Sequence, residues 1–299
     1  MATEIFEPKE VYVGRDCGGA DFEVTRELID NFITSTGDDH PWYHGDSPLG
    51  GALAPALLLH SAAFRTSRDW YLPNLYGNLH ARQEWQGFAP LRVGDKLRSR
   101  IVVVDRYVKR DRDYVVIECP LGLASTGQIV QRSRTHQSFL IEKAGGNGGG
   151  NGFAVDRSRE KSGARVFHVG ERGGEAIDAP MRKVTDAMCE AFSGPAKNYH
   201  TDREESIKLG FPEIVVQGML SVCMIAEMMT QRFGLGFLIG GRFDVRLVNV
   251  LWCDEITGPR GRIIERRPEG NRTRAEVEVW CEKADGTVTI IGTASALEL

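Results

Sequence analysis

Hydrophobic and polar positions along this chain follow two schemes, and each scheme occurs twice. The first is the one-sided spacing of a surface helix. Leu28, Ile29, Phe32 and Ile33 in the first half, and Met181, Val184, Met188, Ala191 and Phe192 in the second, recur at i, i+3, i+4 and i+7. Each stretch ends in a small-residue turn, Ser35-Thr36-Gly37 or Ser193-Gly194, and enters a polar loop containing histidine. A segment apolar nearly all round follows each loop: Gly50 to Arg65 (GGALAPALLLHSAAFR) and Gly218 to Phe233 (GMLSVCMIAEMMTQRF). A helix without a polar face must be enclosed by protein, so both segments predict buried central helices.

The second scheme is strand-like. Leu97 to Val108, Asp113 to Ala124 and Gln128 to Ile141 follow the first apolar segment; Ile256 to Arg266, Arg272 to Glu282 and Val288 to Leu299 follow the second. They are rich in Val, Ile, Thr and aromatic residues, and Ser125-Thr126-Gly127 and Asp285-Gly286 supply turns between them. Pro90 to Asp95 and Asn249 to Asp254 precede the two sets, and Val13 to Gly19 resembles Val169 to Gly174 at the start of each half. Both halves therefore predict a short helix, a loop, a buried helix and an antiparallel meander, which is an α+β order because the strands come in runs. One helix wrapped by a curled sheet satisfies it, and two such units can join edge to edge or face to face. Between them lies a glycine-dense connector, 144 to 164, which behaves as a flexible linker between halves 1–143 and 165–299.

Composition narrows the function classes. The net charge is −4, from 37 basic and 41 acidic residues, with both signs dispersed. Neither a nucleic-acid partner nor an anionic membrane is expected. The first residues show no apolar core of a secretory signal, and the longest apolar run, Gly50 to Ala63, is too short for a bilayer. Six cysteines lie far apart without a CxxC pair, so metal-ligand spacing and a disulfide framework are not expected. A cytoplasmic protein without a metal or cofactor is the expectation.

The loop ahead of the second apolar segment reads SGPAKNYHTDREESIKLGFPEIVVQGM, Ser193 to Met219. It resembles the loop of the MaoC-like (R)-specific enoyl-thioester hydratases and dehydratases. In that family Ser-Gly-Asp-x-Asn-Pro-x-His-x-Asp leads through a short helix ending in Gly-Phe to Ile-x-x-Gly-Met at the central helix. Ser193, Gly194, His200, Asp202, Gly210, Phe211, Ile214, Gly218 and Met219 fit, whereas Pro195, Lys197 and Asn198 stand where Asp, Asn and Pro are expected. Thr36 to His44 resembles the same motif in a complementary way, keeping Gly37, Asp38 and Pro41, with His40 for Asn and Tyr43 at the His position. The whole resembles the two-half, double hot-dog form of the family.

The resemblance implies an acyl-CoA or acyl-carrier-protein thioester as substrate. It also implies a first half that houses the acyl tail and a second half that does the chemistry. Hydration needs a water held over the β-carbon and a proton for the α-carbon, tasks for an acid–base pair on one loop. By the same resemblance, the Gly218 amide is the oxyanion donor, with Gly50 or Gly51 as the first-half counterpart. The catalytic candidates are His200 and Asn198 in the second half and Asp38 and His40 in the first. Gly218, Lys197, Tyr43 and His44 are the substrate-binding candidates.

Each has a structural alternative. Asn198 can orient water or bond its own loop, as Asn does in turns. Lys197 can meet an anionic substrate group or stay an exposed loop lysine, and Asp38 can serve as a base or cap its turn. Tyr43 can pack as a buried aromatic. Asp202 reads as part of a capping box, Thr201 to Glu204, opening a helix Arg203 to Leu209. Five residues separate His44 from Gly50, against seventeen between His200 and Gly218, so the first half lacks the short helix and presents a wider mouth. Three functions stay open: hydration through His200, chemistry at Asp38, or a thioester-binding partner subunit or hot-dog thioesterase. A fused pair of halves supplies a pseudo-dimer within one chain, and a homodimer of pseudo-dimers is an assembly open to it.

Overall fold

The computed structural model describes residues 11–59, 79–110, 112–140 and 163–299. The strands are β1 (Asp21–Glu23), β2 (Leu79–Gly87), β3 (Lys96–Ser99), β4 (Val102–Lys109), β5 (Arg112–Leu123) and β6 (Ile129–Leu140) in the first half. In the second they are β7 (Glu175–Asp178), β8 (Arg182–Lys183), β9 (Arg242–Leu247), β10 (Ile256–Glu269), β11 (Arg272–Lys283) and β12 (Val288–Glu298). The helices are α1 (Arg26–Thr36), α2 (Asp186–Ser193), α3 (Arg203–Lys208), α4 (Gly218–Phe233) and α5 (Leu235–Gly240), with a 3-10 turn at Pro41–His44.

All twelve strands join one sheet in the order β1-β3-β5-β6-β2-β9-β12-β11-β10-β7, with β4 beside β5 and β8 beside β10. The α+β double hot-dog expectation holds, and the halves meet edge to edge. β2 and β9 pair antiparallel from Arg82↔Arg246 to Gln86↔Arg242, so two curled sheets become one continuous surface. The junction is reinforced by Arg82, whose Nε donates to Asp244 Oδ1 at 2.6 Å. Five of the six meander strands of the sequence reading appear within a few residues of their expected limits, and the sixth, Leu97 to Val108, is broken at Arg100 and Ile101 into β3 and β4, which pair separately with β5.

Helix α4 forms because its residues have nowhere polar to point: every residue from Met219 to Thr230 is buried. It lies against β7, β10, β11 and β12, with α1 of the other half along it. Met224, Ile225 and Met229 at its centre are completely enclosed. At about 25 cal/mol per Å² of apolar surface, each such side chain contributes roughly 1.5–3 kcal/mol. Helix α1 starts at Thr25, whose hydroxyl accepts from Leu28 N, and packs against α2, capped in the same way by Thr185.

Three expectations are corrected. Residues 50–59 do not open a central helix: Gly50 and Gly51 adopt φ of 70° and 77°, Leu53 bridges to Arg92, and Pro55 to Leu58 form a turn. Successive left-handed residues and a proline are incompatible with a helix start. The remainder of that predicted helix, 60–65, and all of the linker but 163–164 lie outside the described residues. Met181 and Val184 precede α2 rather than belonging to it, because Arg182–Lys183 pair with β10. The glycines of Gly234 to Gly241 predict a turn after the central helix, but Leu235–Gly240 form the short helix α5; Gly236 lies so close to β12 that a Cβ would sit 1.8 Å from the Leu297 carbonyl oxygen. Among the described residues no helix is long and apolar enough to cross a membrane. All six cysteines are unbridged and buried.

Candidate functional site

The loop 195–202 is folded onto the strand-like segment before α4. Val215 N donates to the Tyr199 carbonyl and Thr201 N to that of Asn198, which curls the loop over the helix start. His200 is held there at two points: its backbone N–H donates to Asn198 Oδ1 (2.8 Å), and Nδ1 lies 2.6 Å from the Val215 carbonyl oxygen. A carbonyl only accepts, so Nδ1 carries the proton and Nε2 is left as an acceptor. Burial pushes the His200 pKa down to about 4, against a smaller upward pull from the Val215 hydrogen bond, so the ring is neutral near pH 7. Tyr199 lies against it, with ring centroids 3.9 Å apart.

Asn198 directs its amide to its own loop: Nδ2 donates to the Ala196 carbonyl at 2.9 Å while Oδ1 holds His200 N. Lys197 is exposed and bonds Asp202 Oδ2 at 2.6 Å. Asp202 caps α3 by accepting from Glu205 N, so the cap residue is Asp202 itself rather than Thr201. Pro195, at the place of the family carboxylate, is exposed.

Gly218 is the first residue of α4, and no side chain caps that end. The first amides of a helix have no intrahelical partner, so this N–H is open to a developing oxyanion. Leu247 crowds the spot; a Cβ on Gly218 would stand 1.9 Å from its Cδ2. Two buried polar atoms in this neighbourhood have no partner, Ser193 Oγ and Gln217 Oε1. Sequence reasoning counted Ser193 only as a motif match and passed over Gln217. The signal for Gln217 was its place directly before the helix-opening glycine.

The first-half residues assemble differently. Asp38 is 4% exposed and its Oδ2 accepts from the Tyr43 hydroxyl at 2.8 Å. Burial, reinforced by the nearby Glu227 carboxylate, raises its pKa to about 7 against the opposing effects of Tyr43 and Arg182. Glu227 belongs to α4 and is bound by Arg182 Nη2, 2.6 Å from both carboxylate oxygens, while Arg182 Nη1 donates to the Thr36 carbonyl at 2.7 Å. Asp38, Tyr43, Arg182 and Glu227 thus form a buried polar cluster between the halves. Sequence reasoning missed Arg182 and Glu227, although an acid inside an otherwise apolar helix was the available signal.

His40 accepts from Trp42 N through Nδ1 at 3.2 Å and so caps the 3-10 turn; burial lowers its pKa. His44 is exposed and pairs with Asp39. The structure therefore groups Asp38 with Tyr43 and His200 with the start of α4. Glu227 lies nine residues into that helix from Gly218, about 14 Å along its axis at 1.5 Å per residue. Gly50 and Gly51, expected to mirror Gly218, begin no helix and are exposed.

A small cleft, with room for about one water, lies where the halves meet. It is bounded by Leu57 and Leu59, by Gln83 and Trp85 of β2, by Cys119 and Leu121 of β5, by Gln131 and Ser133 of β6, and by Met219 of α4. Met219 directly follows Gly218, so the cleft of the first half reaches the start of the second half's helix. Elsewhere, Asp186, Cys253 and Asp254 bring ligand-type atoms within 4.8 Å, but the Cys253 thiol donates to Asp186 and Lys183 pairs with Asp254.

A single continuous sheet formed by two antiparallel meanders joined edge to edge, the second wrapped around α4, defines the class: the molecule is a double hot-dog protein. The chain is similar in fold to a MaoC-like dehydratase at 16% identity, covering 96% of this chain and 98% of that one with a TM-score of 0.70. A MaoC-like dehydratase from Phytophthora capsici gives 15% identity, 98% coverage of both chains and a TM-score of 0.69. A Mycobacterium tuberculosis protein described as having a double hot-dog fold gives 12% identity, coverage of 97% and 98%, and a TM-score of 0.63. Residues 11–118 match the family model of the FAS1-like dehydratase domain region. A search of the curated proteins finds no match. The likeness in fold thus spans both halves of the chain, and the family-model match lies in the first.

Proposed function

We propose that this protein hydrates an enoyl thioester, or dehydrates the corresponding 3-hydroxyacyl thioester, with its reacting centre at the start of α4. One observation carries the proposal: the half-buried His200 has Nδ1–H committed to the carbonyl of Val215, three residues before the uncapped start of α4, which leaves Nε2 as a neutral acceptor. The MaoC-like dehydratases of similar fold and the dehydratase-region match support the reaction class.

In hydration, the oxygen of a water adds to the β-carbon as its proton passes to Nε2. The alkene pair moves to the thioester oxygen as an enolate, where the Gly218 amide and the dipole of α4 stabilise the charge. The imidazolium then returns its proton to the α-carbon, and His200 ends neutral as it began. The family carboxylate is absent, and the unpartnered Ser193 Oγ and Gln217 Oε1 are the groups suited to holding that water. The carrier of the acyl group in this reading is coenzyme A or an acyl-carrier protein. Asp38 stands outside this chemistry as a link between halves.

His200→Ala is expected to lower turnover of crotonyl-CoA by about 10²–10⁴, followed as loss of enoyl absorbance with thiol release assayed in parallel. A near-normal rate in the variant rejects the role of His200. Thiol release by the wild type in place of hydration makes the protein a thioesterase.

A further inference from the structure

The loop that follows α1, residues 37–44, belongs to the first half but closes over α4, the central helix of the second. Trp42 packs at the C-terminal end of α4, where a Cβ on Gly234 would lie 3.0 Å from its indole ring. Closer to the middle of the helix, Asp38 and Tyr43 lie beside Glu227 and Cys223, which share one face of α4 at a spacing of four residues. On its own half the loop is held by the Arg26 guanidinium, which donates to the Tyr43 carbonyl, and by Leu53 N, which donates to the Trp42 carbonyl at 2.8 Å.

What the loop encloses against α4 is an unequal set of charges. Asp38 and Glu227 are both buried, and Arg182 of β8 is the single cation facing them among the described residues. Arg182 Nη2 lies 2.6 Å from both Glu227 oxygens and Nη1 is committed to the Thr36 carbonyl, so Glu227 takes the guanidinium. Asp38 is left with the Tyr43 hydroxyl, which donates to Oδ2 at 2.8 Å. Burial pushes Tyr43 and Cys223 well above their ordinary values, so both stay neutral, and the exposed Asp39 beside Asp38 adds only repulsion. Two carboxylates and one guanidinium leave a net charge of −1 when Asp38 is ionised and none when it is protonated. A buried net charge is costly, so the closed loop keeps the proton.

We infer that residues 37–44 form a clasp on α4 whose catch is the proton on Asp38: release of that proton to solvent drives the carboxylate out to water and lifts the loop from the helix. The inference concerns the junction of the halves and holds whichever reaction the start of α4 performs. Burial, with the Glu227 charge, raises Asp38 from 3.8 to about 7 in the closed loop. Closure is therefore firmest below about pH 4, loosens as pH rises through that window, and loosens no further above about pH 7. A window of roughly three units corresponds to about a thousandfold change in the ratio of open to closed loop.

Amide hydrogen exchange of the full-length protein tests this, read by mass spectrometry from about pH 5 to 8 and divided by the intrinsic rate at each pH. Protection of peptides within 37–53 is expected to fall about tenfold per unit up to about pH 7 and then to level off. Opening of one loop exposes little surface, so dilute urea is expected to leave this protection unchanged while lowering that of β11. Asp38→Asn removes the catch, and its protection over 37–53 is expected to be independent of pH. Glu227→Gln serves if that variant fails to fold: it frees Arg182 to hold an ionised Asp38 and is expected to move the fall to lower pH. Four results overturn the inference: constant protection over 37–53 in the wild type, the same fall in Asp38→Asn, an unmoved fall in Glu227→Gln, or a urea dependence over 37–53 as steep as that of β11.

Discussion

The change Asp38→Asn isolates one buried charge and sets two roles for Asp38 against each other. In the folded protein the carboxyl titrates at about 7 because it is buried and faces Glu227, while its ordinary value is 3.8. The folded state therefore holds a proton that the unfolded chain has released between those values, and stability falls as pH rises through that window. Below about pH 4 no such loss remains, and above about pH 7 it is complete. A difference of roughly three units at 1.36 kcal/mol each gives about 4 kcal/mol as the upper scale of the effect. Asn keeps the shape and an oxygen to accept from Tyr43, and it carries no charge at any pH. Urea unfolding at a series of pH values is expected to show variant and wild type nearly equal at pH 4. The variant should become more stable by up to that amount at pH 8, with hydration retained. A pH-independent difference refutes the burial argument, and loss of turnover with a correctly folded variant moves the chemistry to Asp38.

Arg182→Met strands the Glu227 carboxylate, 5% exposed, beside Asp38; a loss of about 3–5 kcal/mol in urea unfolding is expected, and adding Glu227→Gln should recover much of it. Gly218→Ala drives a methyl into Leu247 and is expected to destabilise by about 1–3 kcal/mol in thermal unfolding, with Leu247→Ala in combination relieving it. Because burial holds the pKa of His200 near 4, kcat/KM should stay level below neutrality and fall only near pH 4. A limb at 6.5, the ordinary value for histidine, would show an exposed ring.

Much of the architecture was written in local patterns. The alternation of Arg272 to Glu282 and Val288 to Leu299, and the all-apolar run Gly218 to Phe233, depend on nearest neighbours and on simple enclosure. β2 was missed because its inward positions include Gln83 and its outward ones are Arg82, Glu84 and Gln86, so hydrophobic alternation is absent; its partner, not its composition, makes it a strand. β9 was missed because six residues following a glycine-rich stretch give little signal. Around the site, His200 and Gly218 were legible from a loop motif with fixed spacing. The Val215 carbonyl that sets the histidine tautomer was not, since backbone acceptors carry no sequence mark. The Asp38–Arg182–Glu227 cluster joins residues far apart in the chain, and only the packing of α1 against α4 reveals it.

The β2–β9 pairing has an evolutionary consequence. In a symmetric homodimer every substitution is made twice, so a residue suited to one subunit's pocket is imposed on the other. A covalently fused pair joined through backbone hydrogen bonds is released from that constraint. One copy can bury the amides of Gln83, Gln131 and Gln137 in its sheet while its twin packs Ala294 and Ala296 in the core, and neither set is copied into the other.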